Sequence, residues 1–396
     1  MDTSTTDDNA PRLLMRLTVA LFLGYMAVAL SLPVIAVYVT QWPGYGNMLA
    51  GLAVGIAFAS TIISRNHAGQ LADGRGGRAC MRLGLAGYIL GGVICAGAGL
   101  SILPYLTRYL ILMVGRLVLG VGESLTVVGM LGWGIGLMGH ARAGKVMAWT
   151  GMAMYGAFAV GAPLGLALFH MVGFGGVMMG CAILPAIGLI ISKGITAPPV
   201  HAGRREPFWR ILGRIWQPGC ALGLQGVGFA ALGTFISVYF IHRHWPYAGL
   251  GLSCFGLAFV AMRLLCGHLP DRIGGVWVAL VSLGVEAVGQ YLLWCAPSPL
   301  MALTGAVLTG AGCSMVYPAL GVEVVRIMPP HLRGTALGGF AAFQDLAYGA
   351  TGPLTGLLAD RTGYASVFLV GGLCATMAFI MTLHMAARRQ QETILE

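Results

Sequence analysis

Three residues of one apolar run have the types and spacing to do chemistry. Arg116, Gly120 and Glu123 fall at i, i+4 and i+7 in the stretch 107–131, so a helix puts them on one face. Arg116 and Glu123 are then two turns, about 10 Å, apart along the axis. A charge deep in an apolar span costs about 2.5–3.5 kcal/mol, so such groups face a bundle interior or water. A cation and a carboxylate held there can exchange a proton with whatever enters; the alternative is a structural ion network. Asp345 lies about ten residues into the run 335–358, on a face continued by Gly349, Gly352 and Gly356. A buried carboxylate can take up a proton and release it when wetted, or it can be a hydrogen-bonded structural residue. Glu286, mid-way along 276–296, reads as a packing or partly protonated group. Glu323, near the end of 299–325, suits a gate salt bridge with Arg326 or another loop arginine. No histidine–cysteine cluster has metal-ligand spacing, and the 9 cysteines are scattered through apolar runs as small buried hydrophobes.

The elements that must position these residues are membrane helices. The chain is 57% hydrophobic and 9% charged, against about 25% charged in soluble domains. Twelve apolar spans are expected, each long enough to cross a bilayer. The only long polar stretch, 193–217, falls at the middle. The fold class is therefore an all-α membrane protein of two pseudo-symmetric six-helix bundles, 1–193 and 217–396, joined by a linker at 194–216. Basic residues concentrate in alternate loops, which places both termini in the cytoplasm. The net charge of +10 is accordingly topology and not a nucleic-acid footprint; the macromolecular partner is the lipid bilayer.

The halves repeat. The stretch 65–78 contains Gly69, Asp73, Gly76, Gly77 and Arg78. A second copy at an offset of 198 residues contains Gly267, Asp271, Arg272, Gly274 and Gly275. Each copy reads as a short polar turn in which glycine supplies φ > 0. A further correspondence, at an offset of 190 residues, pairs Gly120, Gly122 and Pro163 with Gly310, Gly312 and Pro353. Cys313 then stands where Glu123 stands in the first half. The two loop aspartates are expected to meet helix starts across the bundle, Asp73 near Arg333 and Asp271 near Arg142, as a cytoplasmic gate.

The two glycine–aspartate stretches resemble the signature loop of the major facilitator superfamily. The segment from Gly115 to Glu123 resembles the fourth-helix motif of its proton-coupled members. Gly156, Gly161, Pro163 and Gly165 resemble the antiporter motif of the fifth helix. Over the whole chain the similarity is to twelve-helix bacterial efflux permeases, the branch called arabinose-efflux or YhhS/YfcJ-like. The resemblance implies a secondary active transporter of the inner membrane, working by alternating access as a functional monomer. Its expected action is proton-coupled antiport that exports small amphiphilic molecules or drugs. The implied cavity is lined by Tyr25, Gln225, Phe229, Tyr239 and Tyr317. Glu123 is expected as proton carrier, Arg116 as its modulator and Asp345 as a second titrating site, with no cofactor beyond the coupling proton. An uptake symporter and a non-transporting membrane receptor are the alternatives; a membrane enzyme would need a nucleophile or metal constellation that the sequence does not present.

Overall fold

The structure, a computed structural model, describes residues 9–139, 142–196, 208–328 and 333–395. Their regular elements are all helices, without a strand among them. A bilayer core offers no water to a backbone amide, so a spanning segment must close its hydrogen bonds on itself. The elements are α1 (Ala10–Thr40), α2 (Asn47–Gly97), α3 (Tyr105–Met138), α4 (Ala143–Ile191), α5 (Phe208–His242), α6 (Leu250–Cys266), α7 (Leu269–Ile273), α8 (Gly275–Trp294), α9 (Pro299–Ile327), α10 (Arg333–Thr362) and α11 (Ala365–Leu395).

Two of these elements are pairs of spans joined through a single non-helical glycine. α2 breaks at Gly76 (φ 84°, ψ 156°) and α4 at Gly173 (φ 69°, ψ −177°). Counting each half, and setting aside the five-residue α7, gives the twelve spans expected. Among the described residues nine helices, with α4 counted once, are both long and apolar enough to cross a membrane. The exceptions have visible reasons: α6 is only 17 residues long, and α10 carries Gln344, Asp345 and many glycines and threonines.

The first repeat is less of a loop than the sequence suggests. Helix runs from Arg65 up to Gly76 and resumes directly after it. The second copy carries the equivalent glycine, Gly274, at φ 92°. There α6 has already ended at Cys266, and α7 starts afresh with a proline in its first turn. Pro270 stands where the first copy has Ala72. Lacking an N–H, it withdraws the i→i−4 hydrogen bond to the carbonyl of Cys266, the residue at which α6 ends.

By packing, the chain forms two compact units. Unit 1 comprises Met1–Tyr38 and Ile56–Arg204, and unit 2 comprises Val39–Gly55 and Arg205–Glu396. Unit 2 thus includes the first turns of α2. There the glycine stripe of α10 finds its partner: Gly349, Gly352 and Gly356 pack against Gly55, Gly51 and Asn47 with backbones almost touching. Asp360 closes this contact. Its Oδ1 accepts from the Asn47 amide at 2.9 Å and from Asn47 Nδ2 at 2.7 Å, and its Oδ2 accepts from the Met48 amide at 3.0 Å. Tyr364 donates to Asn47 Oδ1 at 2.8 Å. The carboxylate thus caps a helix start from another helix, where free amides and the helix dipole favour an anion. Gly46 leaves it room, since a Cβ there would sit 2.9 Å from Oδ2. Asp360→Ala is expected to lower stability by about 1–2 kcal/mol, read as a lower unfolding midpoint in detergent. Asp360→Asn should recover part of the loss.

Candidate functional site

In unit 1 the site is built on α3. Its register buries Arg116 (1% exposed) and Glu123 (7% exposed) on one face, with Gly120 between them. Gly120 is the contact point with α2. A Cβ there would fall on the Ala57 carbonyl and the Ser60 side chain. Two hydroxyls stitch the crossing, Ser60 Oγ donating to the Leu117 carbonyl at 2.8 Å and Thr61 Oγ1 to the Gly120 carbonyl at 2.9 Å. With α3 pinned there, Glu123 Oε1 accepts a 2.6 Å hydrogen bond from the Tyr25 hydroxyl of α1, fully buried. Arg116 Nη1 reaches Ser31 Oγ of α1 at 3.3 Å and lies within Coulombic range of Glu123. One helix of unit 1 therefore presents a hydroxyl to each partner of the charged pair.

The same crossing recurs in unit 2. Gly122 packs over Gly84 and Tyr88, and Gly312 packs over Ser282 and Glu286. These partners stand at the repeat offset of 198 residues. Gly310, like Gly120, fills its crossing, against the Phe255 carbonyl. The repeat thus places Glu286 where unit 1 has Tyr88, and Cys313 where it has Glu123. Gln225 of α5 completes the set. Its Nε2 donates to Cys313 Sγ at 2.9 Å and to Glu286 Oε1 at 3.4 Å, and its Oε1 accepts from Gln344 at 3.4 Å. Each unit therefore has a buried carboxylate at this crossing, Glu123 in unit 1 and Glu286 in unit 2. In unit 1 it stands on the helix after the signature turn's second span; in unit 2 it stands on that second span itself.

The other expected residues are more dispersed. Phe229 packs between Phe255 and Tyr348, with ring centroids 5.1 Å from each. Tyr317 meets Phe340 at 5.2 Å. Tyr239 belongs to an aromatic cluster with Trp245 and Phe368, under the guanidinium of Arg243. Asp345 is buried on α10. Glu323 is buried too, its Oε1 lying 3.3 Å from where a Cβ on Gly275 would be, so it faces the start of α8. Gly161 and Gly165, either side of Pro163 in α4, let that helix press onto Ala29 and Leu30 of α1; Gly156 lies in the same helix. Arg142 and Arg272 are exposed at helix ends. Gly69 and Arg78 flank the α2 break, and Gly267 ends α6. The side chains of Asp73, Asp271 and Arg333, on which the expected gate depends, lie outside what the structure describes.

Sequence reasoning missed three features. Asp360 carries no motif. Glu286 was legible as a buried acid but not as the partner of Gln225. Arg108, at the start of α3, is buried, donates to the Ala98 carbonyl at 3.0 Å and to the Tyr38 hydroxyl, and lies over the Tyr38 ring. Extending the 198-residue offset along α2 and α8 would have paired Tyr88 with Glu286.

Comparison with known proteins agrees with this architecture. The Major Facilitator Superfamily profile matches residues 17–251 and 219–394. An uncharacterized MFS-type transporter of Salmonella typhimurium is 44% identical over 371 residues, 92% of this chain and 94% of its own length. One from Pseudomonas aeruginosa is 40% identical over 372 residues, covering 93% and 92%. Among solved structures, the inward-open xylose transporter XylE of E. coli superposes with a TM-score of 0.77 at 15% identity, over 94% of this chain and 95% of its own. With paired units, repeated signature turns and a profile match across nearly its whole length, the chain belongs to the major facilitator superfamily and is a multi-pass membrane transporter.

Proposed function

We propose that the protein is a proton-coupled antiporter of the bacterial inner membrane, with both termini cytoplasmic, exporting small amphiphilic molecules as a monomer. The observation that carries this reading is the buried 2.6 Å hydrogen bond between Tyr25 and Glu123, on the helix face that also holds Arg116. A coupling group must change its protonation with what lies beside it. Glu123 has a hydroxyl partner and a permanently charged guanidinium within electrostatic range. A substrate that competes for the Tyr25 hydroxyl, or draws off Arg116, changes the stability of the carboxylate. Asp345 is the second titrating group. Gln225, Phe229, Tyr239 and Tyr317 are the further candidates for substrate contact; their aromatic and amide character suits amphiphiles more than polyanions.

Export is supported by the glycine–proline motif of α4, whose Gly161 and Gly165 fit tightly onto α1. The test uses purified protein in proteoliposomes with an imposed pH gradient and a panel of fluorescent lipophilic cations and neutral amphiphiles. At least one is expected to move against the direction of proton flow and to dissipate the gradient. Movement of solute and protons in the same direction would make it a symporter. Flux of every solute indifferent to the gradient would remove proton coupling altogether.

A further inference from the structure

The polar cluster of unit 2 holds two buried acceptors without a protein donor. Gln290 of α8 is fully buried; its Nε2 donates to the Gly228 carbonyl at 3.1 Å and to Thr309 Oγ1 at 3.4 Å. The amide cannot be turned over, because its oxygen would then face the Gly228 carbonyl, acceptor against acceptor. Thr309 spends its own hydrogen on the Gly305 carbonyl at 2.8 Å. Gln225 spends both amide hydrogens on Cys313 and Glu286. Two acceptors are left with no protein donor, Glu286 Oε2 and Gln290 Oε1. Both belong to side chains of zero exposure, and they stand at i and i+4 on α8, on neighbouring positions of one helix face. Close by are Gly228, where a Cβ would lie 2.8 Å from Glu286 Oε1, and Gly371, where one would fall against Gln290 Oε1.

An ionised carboxylate without a cation in such surroundings is costly, and so is an orphaned amide oxygen. The titratable groups that face Glu286 are the thiols of Cys313 on α9 and Cys374 on α11; α5 presents Gln225, and no cationic group among the described residues bears on it. A single hydrogen on Glu286 Oε2, donated to Gln290 Oε1 one turn along the same helix face, would satisfy both acceptors at once. A metal cation suits the site less well, because Gln225 Nε2 and the Cys313 thiol point donors at the same carboxylate.

We propose that Glu286 and Gln290 form a proton-binding site in unit 2, distinct from the Glu123 site of unit 1. Glu286 is held as the neutral acid with its proton shared to Gln290. That a proton is held here does not depend on coupled transport; only its exchange during the cycle would rest on that reading.

The test is infrared spectroscopy of the full-length protein in lipid nanodiscs at neutral pH. The parent spectrum minus that of Glu286→Gln should show a protonated carboxyl C=O band that shifts in D2O. Gln290→Leu should move this band to higher frequency, because the acceptor is gone. Glu286→Gln, a neutral isostere, should leave the unfolding midpoint unchanged, so a folded reference is available even if Gln290→Leu assembles poorly. Absence of the band overturns the proposal. So does a band that appears only when sodium and potassium are replaced by choline, which would make the site a metal-cation site. A band unmoved in Gln290→Leu overturns the shared geometry. None of these outcomes bears on Glu123, whose role is read from flux and from substrate-induced proton release.

Discussion

Glu123→Gln is expected to reduce proton-driven net transport to background while leaving substrate binding largely intact. The substitution keeps the shape of the side chain and an oxygen for the Tyr25 hydroxyl, bonded at 2.6 Å in the parent. What it removes is the ability to gain and lose a proton. Tyr25→Phe separates the two contributions. It deletes a hydrogen bond to an ionisable group, worth about 1.5–3 kcal/mol when the group is charged, and leaves the carboxyl in place. Transport should then persist with an altered pH optimum. The decisive measurement is proton release from detergent-solubilised protein on adding a transported solute. The parent should release protons, Glu123→Gln should not, and Asp345→Asn should release fewer. Release in Glu123→Gln equal to the parent would move the carrier role to Asp345 or, if Asp345→Asn also matched, away from both.

Gly120→Val should be the most damaging small substitution in unit 1. The added Cβ alone would lie 2.7 Å from the Ala57 carbonyl carbon and closer still to its oxygen. These are backbone atoms and cannot swing aside, so α3 must retreat from α2. Overpacking of this kind costs about 1–3 kcal/mol, occasionally more. Retreat would also lengthen the Ser60–Leu117 and Thr61–Gly120 hydrogen bonds and carry Arg116 and Glu123 out of register with Ser31 and Tyr25. A lowered unfolding midpoint together with lost transport is the expected pair of results. Gly310→Val should show the same thermal loss, since Gly310 meets the Phe255 carbonyl in the matching crossing. An unchanged midpoint in Gly120→Val would mean that the crossing is looser than its geometry implies.

What could be read before the structure was whatever one helix or one turn determines. Gly76 and Gly274 announce themselves because a positive φ favours glycine. Arg116, Gly120 and Glu123 share a face because helical period fixes it. The small-residue stripe on α10 implied close contact, and the contact exists, though nothing in the stripe named Gly51 and Gly55 as its partners. The polar pairings were not legible, because they depend on where two helices cross. Gln225 and Glu286 are 61 residues apart, and no spacing rule joins them. Pro270 against Ala72 shows the reverse case: a single residue whose missing N–H falls where one copy of the repeat breaks and the other runs on.

The Asp360 cap also has a history written in chain length. Asn47 leaves the ribosome 313 residues before the carboxylate that caps it. At about 5–20 residues per second the interval is roughly 15–60 seconds. During that time the first turns of α2 have been synthesised while the unit they belong to has not. The amides of Asn47 and Met48 must be satisfied by water or lipid headgroups until α10 emerges. This contact cannot form before α10 has been made, and a ribosome stalled before α10 would leave the start of α2 uncapped. An uncapped Asn47 amide is thus a molecular timestamp: it marks chains whose synthesis has begun but whose second unit has not yet closed over its own earliest segment.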